Sequence, residues 1–250
     1  QYTEALASLL PQAPTEIGLS QYPSGEEYYD QLLSHHVTLP LSSDQLYQQG
    51  IDEITRIHQE MKATFSSLGY SEELDIEKLF QAFEEDALVI EKNNVVTKFE
   101  ELVAVAETRL SDAFNLPEIV SPEVIDSFQD GYFPAARDGT EQGRFVTNAT
   151  SDRFYYQMPS LAYHEAVPGH HLQSTIAQSL ELPLLRTLPP VTAYVEGWAL
   201  YVESLAFELG WYTESPAGNL GRLQWDALRA ARLVADIGVN SLGWSWEEAQ

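Results

Sequence analysis

The chain has 250 residues, 44% of them hydrophobic and 11% aromatic, enough to bury a sizeable core in one or two domains. With 38 Asp and Glu against 13 Lys and Arg its net charge is −25, which repels phosphate backbones and anionic membranes and argues against nucleic-acid binding. There is no cysteine, hence no disulfide or thiolate chemistry, and no run of roughly 18 apolar residues that would span a membrane.

Gln1 opens without a basic or apolar leader, and the first residue is not Met. Ser42 and Gln45 form a capping-box pattern. Leu46, Ile54, Ile57, Met61, Phe65 and Leu68 then recur at three- and four-residue steps, and Gly69 stands where a helix C′ glycine would. His58 lies on this helix as a solvated or partly buried structural residue. His35 and His36 precede Val37-Thr38-Leu39-Pro40; on an extended chain they point to opposite faces and make a poor chelating pair. A second amphipathic helix carries Phe99, Leu102, Ala106, Leu110 and Phe114 and ends before Pro117.

Residues 116 to 143 are rich in Pro, Gly and Asp and read as loops, with turns at Gly131-Tyr132-Phe133-Pro134 and Asp138-Gly139. Gly143 to Asn148 reads as a short strand. Helix resumes at Met158 and is broken by Pro183, Pro189 and Pro190. Val191 to Leu209 forms a further helix with Tyr194, Trp198, Tyr201, Leu205 and Leu209 on one stripe, closed by Gly210, and Leu220 to Val239 forms another. Ser245 and Glu248 make a second capping box two residues before the last, which announces a helix. The expectation is an internal portion of a longer protein, mainly α, with an N-terminal helical region over 1–115 and a metal-site region over 116–250 forming one continuous catalytic domain.

The densest chemistry is Tyr163-His164-Glu165-Ala166-Val167-Pro168-Gly169-His170-His171, which holds three of the six histidines. Imidazole and carboxylate build Zn²⁺ sites, and a His-Glu pair followed by another His brings metal and general base together in zinc hydrolases. The common arrangement sets two histidines at i and i+4 on one helix face; here i+4 from His164 is Pro168. On a regular helix His170, at i+6, points about 120° away from His164. Pro168 and Gly169 are expected to widen the turn and swing His170 back. His170 is taken as the second ligand over His171 because Gly-His follows the insertion. A broken helix with unrelated histidines is the bland alternative.

A catalytic zinc takes three protein ligands and water. Glu196 is the candidate third ligand, since a carboxylate within the apolar-aromatic run from Tyr194 to Val202 is costly unless paired or metal-bound. Gly197 beside it is expected to admit a close backbone. Glu203, at i+7, is expected either to hold a ligand imidazole or to face solvent. Tyr201 and Arg232 are weak candidates for stabilising an oxyanion, and Arg232 has an alternative partner in Asp236 at i+4.

These residues resemble the bacterial family designated domain of unknown function 885, often found in lipoproteins and exported proteins. The likeness runs through Gly25-Glu26-Glu27-Tyr28-Tyr29, Asp138-Gly139 with Gly143 to Asn148, His164 to Gln173, Glu196 to Tyr201 and Arg232 to Gly243. The family in turn resembles gluzincin metallopeptidases. The resemblance implies a helical gluzincin-like fold with a small β element near the metal helix, Zn²⁺ held by His164, His170 and Glu196, and Glu165 as general base. It also implies that the strand within Gly143 to Asn148 is an edge that takes peptide by strand addition, an ordinary sheet strand being the alternative. A periplasmic or lipid-anchored setting follows from the same likeness; the absence of cysteine fits cytosol and periplasm alike.

Two departures stand out: the family pattern has a histidine where this chain has Asn240, and it continues past Gln250. The expected activity is hydrolysis of short peptides by metal-activated water, with a catalytically degenerate metal- or peptide-binding relative as the alternative. Co²⁺ or Mn²⁺ would suit the same ligands.

Overall fold

A computed structural model describes residues 2–9, 11, 17–71, 73–116, 119–183, 186 and 191–250. In chain order the helices are α1 (Tyr2–Leu9), α2 (Gly25–Val37), α3 (Ser43–Ser67), α4 (Ile76–Glu84), α5 (Val95–Arg109), α6 (Met158–Glu165), α7 (His170–Ser179), α8 (Thr192–Glu208) and α9 (Gly218–Asn240). The strands are β1 (Val89–Ile90), β2 (Glu123–Ser127), β3 (Gly131–Phe133), β4 (Arg144–Asn148) and β5 (Arg153–Phe154). The chain is thus mainly helical with small sheets, as expected. It divides into two compact units, Gln1–Ile54 with Leu228–Gln250, and Thr55–Ala227.

In the first unit Tyr29, Leu46 and Ile237 form a buried cluster ringed by Leu19, Leu33 and Leu233. The Tyr29 hydroxyl donates to Asp236 Oδ2 at 2.6 Å. The Ser42–Gln45 capping box forms in both directions, at 3.0 and 3.2 Å. Asn240 accepts from the Leu19 N–H and donates to the Asp236 carbonyl, so it ties α9 to the segment before α2. His35 and His36 are not on extended chain: α2 continues through them, and both are exposed in its last turn. Ser245 and Glu248 form their capping box, at 2.8 and 3.3 Å, but residues 246–249 make a turn and not the helix that the box announces.

The second unit holds the larger core, in which Phe99, Phe145, Met158, Ala162, Val167 and Leu172 are buried. The α5 periodicity works as read: Phe99, Leu102 and Ala106 face this core, and Phe99 meets Phe145 edge-to-face at 4.9 Å. Phe65 on α3 is likewise buried, and the Tyr70 N–H returns to the Phe65 carbonyl as the helix ends, with Gly69 at φ +93. His58 is exposed. Pro117, Pro189 and Pro190, invoked as helix breakers, lie outside the described residues.

The region 116–143 is more ordered than its composition predicts, because β2 and β3 lie within it. The three-stranded sheet has the order β2-β4-β3, with β2 parallel and β3 antiparallel to β4. The expected edge strand is therefore the central one. Both rims of β4 are occupied and Phe145, Val146 and Thr147 are buried, so β4 cannot accept a peptide by strand addition.

Candidate metal centre

The first helix of the site, α6, stops at Glu165, and α7 restarts at His170. Ala166 leaves helical geometry (φ −101, ψ −100), Val167-Pro168 is a cis peptide, and Gly169 takes ψ −134. The Ala166 carbonyl then accepts from the His171 and Leu172 N–H groups. Trp198 Nε1 on α8 donates to the Pro168 carbonyl at 2.9 Å and pins the linker. The distortion expected around Pro168 and Gly169 is thus a full break between two helices, and it brings the His164 and His170 rings to a centroid separation of 4.7 Å at 85°.

His164 is buried, and its Nδ1–H donates to Glu203 Oε1 at 2.8 Å. Glu203 is 1% exposed, and its other oxygen accepts from the Ser160 hydroxyl. A carboxylate can only accept, so it fixes the tautomer and turns His164 Nε2 the other way. That Nε2 lies 3.8 Å from Glu196 Oε2, and His170 Nε2 lies 3.7 Å from the same oxygen. Ligands about 2.0–2.1 Å from a tetrahedral zinc stand about 3.4 Å apart. Both of these separations fall within about half an ångström of that spacing. Glu165 joins the imidazoles as well: ligand atoms of His164, Glu165 and His170 all lie within 4.8 Å of one another. All four residues named from the sequence therefore meet, and the donor set suits a divalent cation.

The two carboxylates differ in setting. Glu165 is buried, and desolvation pushes its carboxyl up to about 7, opposed by His164 and reinforced by Glu196, Asp130 and Glu203. Glu196 is 59% exposed at its side chain, contrary to the argument that an apolar helix buries it. Its segment of α8 faces a cleft, and Tyr194 is 61% exposed. The buried face of α8 is Ala199, Val202, Glu203 and Ala206 rather than the predicted aromatic stripe. Gly197 admits no close backbone: a Cβ there would meet nothing within 4 Å.

His171 belongs to a different network. Its Nε2 donates to the Val120 carbonyl at 2.7 Å, and its Nδ1 accepts from the Tyr132 hydroxyl at 2.9 Å. Burial lowers its pKa, with the Val120 bond opposing. Both ring nitrogens are committed, so His170 and not His171 faces Glu196. Tyr132 belongs to no turn, contrary to the sequence reading; it sits on β3 and stacks near His170 (21°, 6.4 Å). Nothing in a three-residue strand that starts at Gly131 and is followed by Pro134 announces that role.

The cleft in front of these residues has a volume of about 960 Å³. Asp130, Tyr132, His164, Glu165, His170 and Glu196 line it at one end of α7, and Gln178, Leu182 and Arg137 line it further along. Tyr201 is half exposed and is not among the lining residues; Arg232 belongs to the first unit. Asp236, offered to Arg232 as a helix partner, takes Tyr29 and Asn240 instead.

The chain thus sets two histidines, a buried glutamate and a second carboxylate at the head of a cleft. Its whole length, residues 1–250, matches the family described as bacterial protein of unknown function (DUF885), and the chain belongs to that family. Among solved structures it is similar to a candidate lipoprotein from Colwellia psychrerythraea, at 30% identity and a TM-score of 0.89 over 98% of this chain and 45% of that one. It shares its fold with a candidate lipoprotein of unknown function from Shewanella oneidensis, at 18% identity and a TM-score of 0.78 over 99% of this chain and 48% of that one. The chain spans about half the length of both structures. No curated protein matches it. No helix among the described residues is long and apolar enough to cross a membrane.

Proposed function

We propose that this chain carries the metal centre of a zinc-dependent peptidase. The observation that supports this most directly is the pairing of His164 and His170 across a helix break, with Glu203 orienting the first imidazole and Glu196 Oε2 almost equidistant from both. In this reading His164, His170 and Glu196 hold the ion. The chemistry zinc supplies at such a site is Lewis acidity and the acidification of water.

Glu165 is the general base. It stands beside the ligand set and is shielded from solvent, and that burial raises its carboxyl pKa. Its carboxylate takes a proton from the attacking water and returns it to the leaving amine. Glu203 and Ser160 keep His164 in the ligating tautomer. The cleft, of about 960 Å³, gives room for a short peptide. An exported, lipid-anchored setting is carried over from the structural relatives as part of the proposal, as is activity in the whole protein.

The resemblance suggests a second reading, a relative that binds metal or peptide without turnover: it leads one to expect a histidine where this chain has Asn240, whose side chain bonds to Leu19 and Asp236. Zinc content and activity of wild type and Glu165→Gln separate the readings. The enzyme reading expects one zinc per chain in both proteins and a fall in hydrolysis of about 10²- to 10⁴-fold in the variant. No stoichiometric zinc at neutral pH defeats the enzyme reading and the metal-binding form of the second. Zinc without turnover by the full-length wild type across a broad peptide library leaves only the second.

A further inference from the structure

We propose that the far end of the cleft is a carboxylate-binding subsite formed by Arg137 and Arg186, so that the substrate is a peptide presenting a carboxylate beyond the bond to be cut. The inference rests on the peptidase reading for the identity of the substrate, not for the existence of the subsite.

Cations are scarce here, 13 against 38 acids, and the arginines away from the cleft are largely consumed by them. Arg56 pairs with Glu60, Arg109 with Glu214, Arg144 with Glu141, Arg153 with Asp130 and Arg222 with both Glu60 and Asp226. Arg137 and Arg186 both line the cleft, both are exposed, and neither guanidinium has an ion-pair partner among the described residues. The cleft's own acids do not neutralise them. Asp130 is held by Arg153 at 2.7 Å, and Glu165 and Glu196 face the imidazoles. A divalent ion offsets those last two charges, which leaves the two guanidiniums in excess in a chain that is otherwise strongly anionic.

Their placement is directional. The ligand cluster sits at the first residue of α7, and the cleft follows the helix through Gln173, Ser174, Ala177 and Gln178. From His170 to Gln178 the helix rises about 12 Å. Gln178 Nε2 donates to the Ala135 carbonyl at 3.0 Å, which fastens the segment carrying Arg137 to the last turn of α7. In the chain Arg186 comes seven residues after the last residue of the same helix, Ser179, and both it and Leu182 line the cleft. An extended peptide advances about 3.3–3.6 Å per residue, so that helical rise corresponds to about three residues of substrate. Guanidinium presents a planar fork of donors that matches a carboxylate, and such charge-assisted bonds are the strong kind.

The test measures binding of three probes to the full chain carrying Glu165→Gln, so that none is consumed: an acetylated tetra-alanine, its C-terminal amide, and the same amide with glutamate as its last residue. Titrations are run with and without zinc, in this background and with Arg137→Gln and Arg186→Gln added. Because both arginines are exposed, their replacement leaves the core intact. The free acid is expected to bind about 10- to 100-fold tighter than the amide, and the double replacement to bring the two together. Tight binding of the glutamate probe assigns the subsite to an acidic side chain, and weak binding assigns it to the chain terminus; either supports a carboxylate subsite. Equal affinity of all three probes overturns the proposal. So does a preference for the free acid that needs zinc and survives loss of both arginines, since the carboxylate is then on the metal. Failure of the peptidase reading registers separately, as missing zinc or missing turnover, while the arginine-dependent preference is read in either case.

Discussion

Gly169 offers the sharpest test of how the site is built. A Cβ placed on it would lie 1.8 Å from the His164 carbonyl oxygen and 2.3 Å from that of Tyr163. Both are backbone atoms of the last turn of α6, so no rotamer change relieves the clash. Reaching even 3.0 Å, which real contacts hardly ever undercut, means parting the start of α7 from the end of α6 by about 1.2 Å, the difference between 3.0 and 1.8 Å. Metal–ligand distances tolerate about 0.2 Å, and His170 is the very next residue. Gly169→Ala is therefore expected to cost about 1–3 kcal/mol of stability by overpacking. At about 2–4 °C per kcal/mol in a chain of this size, the melting temperature falls by roughly 5 °C. Zinc affinity is expected to drop at least tenfold, read by competition with a chromogenic chelator. Gly197→Ala is the control, because a Cβ there meets nothing within 4 Å and sits inside α8. It should gain roughly 0.5–1 kcal/mol from reduced unfolded-state freedom. A Gly169→Ala protein that melts with the wild type and holds zinc as tightly would refute the view that backbone contact between α6 and α7 sets the ligand spacing.

Glu203→Gln preserves shape but removes the charge behind His164, and metal affinity is expected to weaken about 10- to 100-fold by the same chelator competition; an unchanged affinity means that Glu203 only fills space. The two neighbouring histidines should separate cleanly. His170→Ala abolishes stoichiometric zinc with little change in the melting temperature of the metal-free protein. His171→Ala leaves the Val120 carbonyl and the Tyr132 hydroxyl without their partner and costs about 1–3 kcal/mol while zinc stoichiometry persists; the reverse pattern would exchange their roles.

The helices were legible because their signals are local. The Ser42–Gln45 box, the spacing of Ile57, Met61 and Phe65, and the Phe99–Leu102–Ala106 stripe each report a helix end or a buried face without reference to the rest of the chain. The strands of 116–143 were not legible, since β3 has three residues and β2 buries only Val124, too few for an alternation to appear. Helix α8 misled for another reason. It is apolar on nearly every face, so its pattern names no single side; small Ala199 and Ala206 face inward while Tyr194 and Tyr201 stay at the surface. The same misreading supplied Glu196 with a burial argument that belongs to Glu203. The clustered residues were nevertheless legible as candidates, because chemistry picks out His and Glu by type even where the geometry is unknown. The break at Pro168 was visible as composition, but its result, two imidazoles facing each other, depends on contacts from outside the segment.

Those contacts explain why a departure from the i, i+4 spacing is tolerable. When both histidines share one helix, helical geometry alone sets their spacing. Here three separate ties set it instead. Trp198 holds the Pro168 carbonyl, Tyr132 and Val120 hold His171 and through it the start of α7, and Glu203 holds His164. Two of the three come from α8, which also carries Glu196. The spacing of the two imidazoles is therefore a property of the α6–α7–α8 packing, and on the proposed reading a cation that binds them stabilises that packing by linkage. The same arrangement lets β3 reach the cluster through Tyr132 while its neighbour β4 stays sealed in the sheet, so the proposed function places substrate in the groove along α7 rather than at a sheet edge of β4.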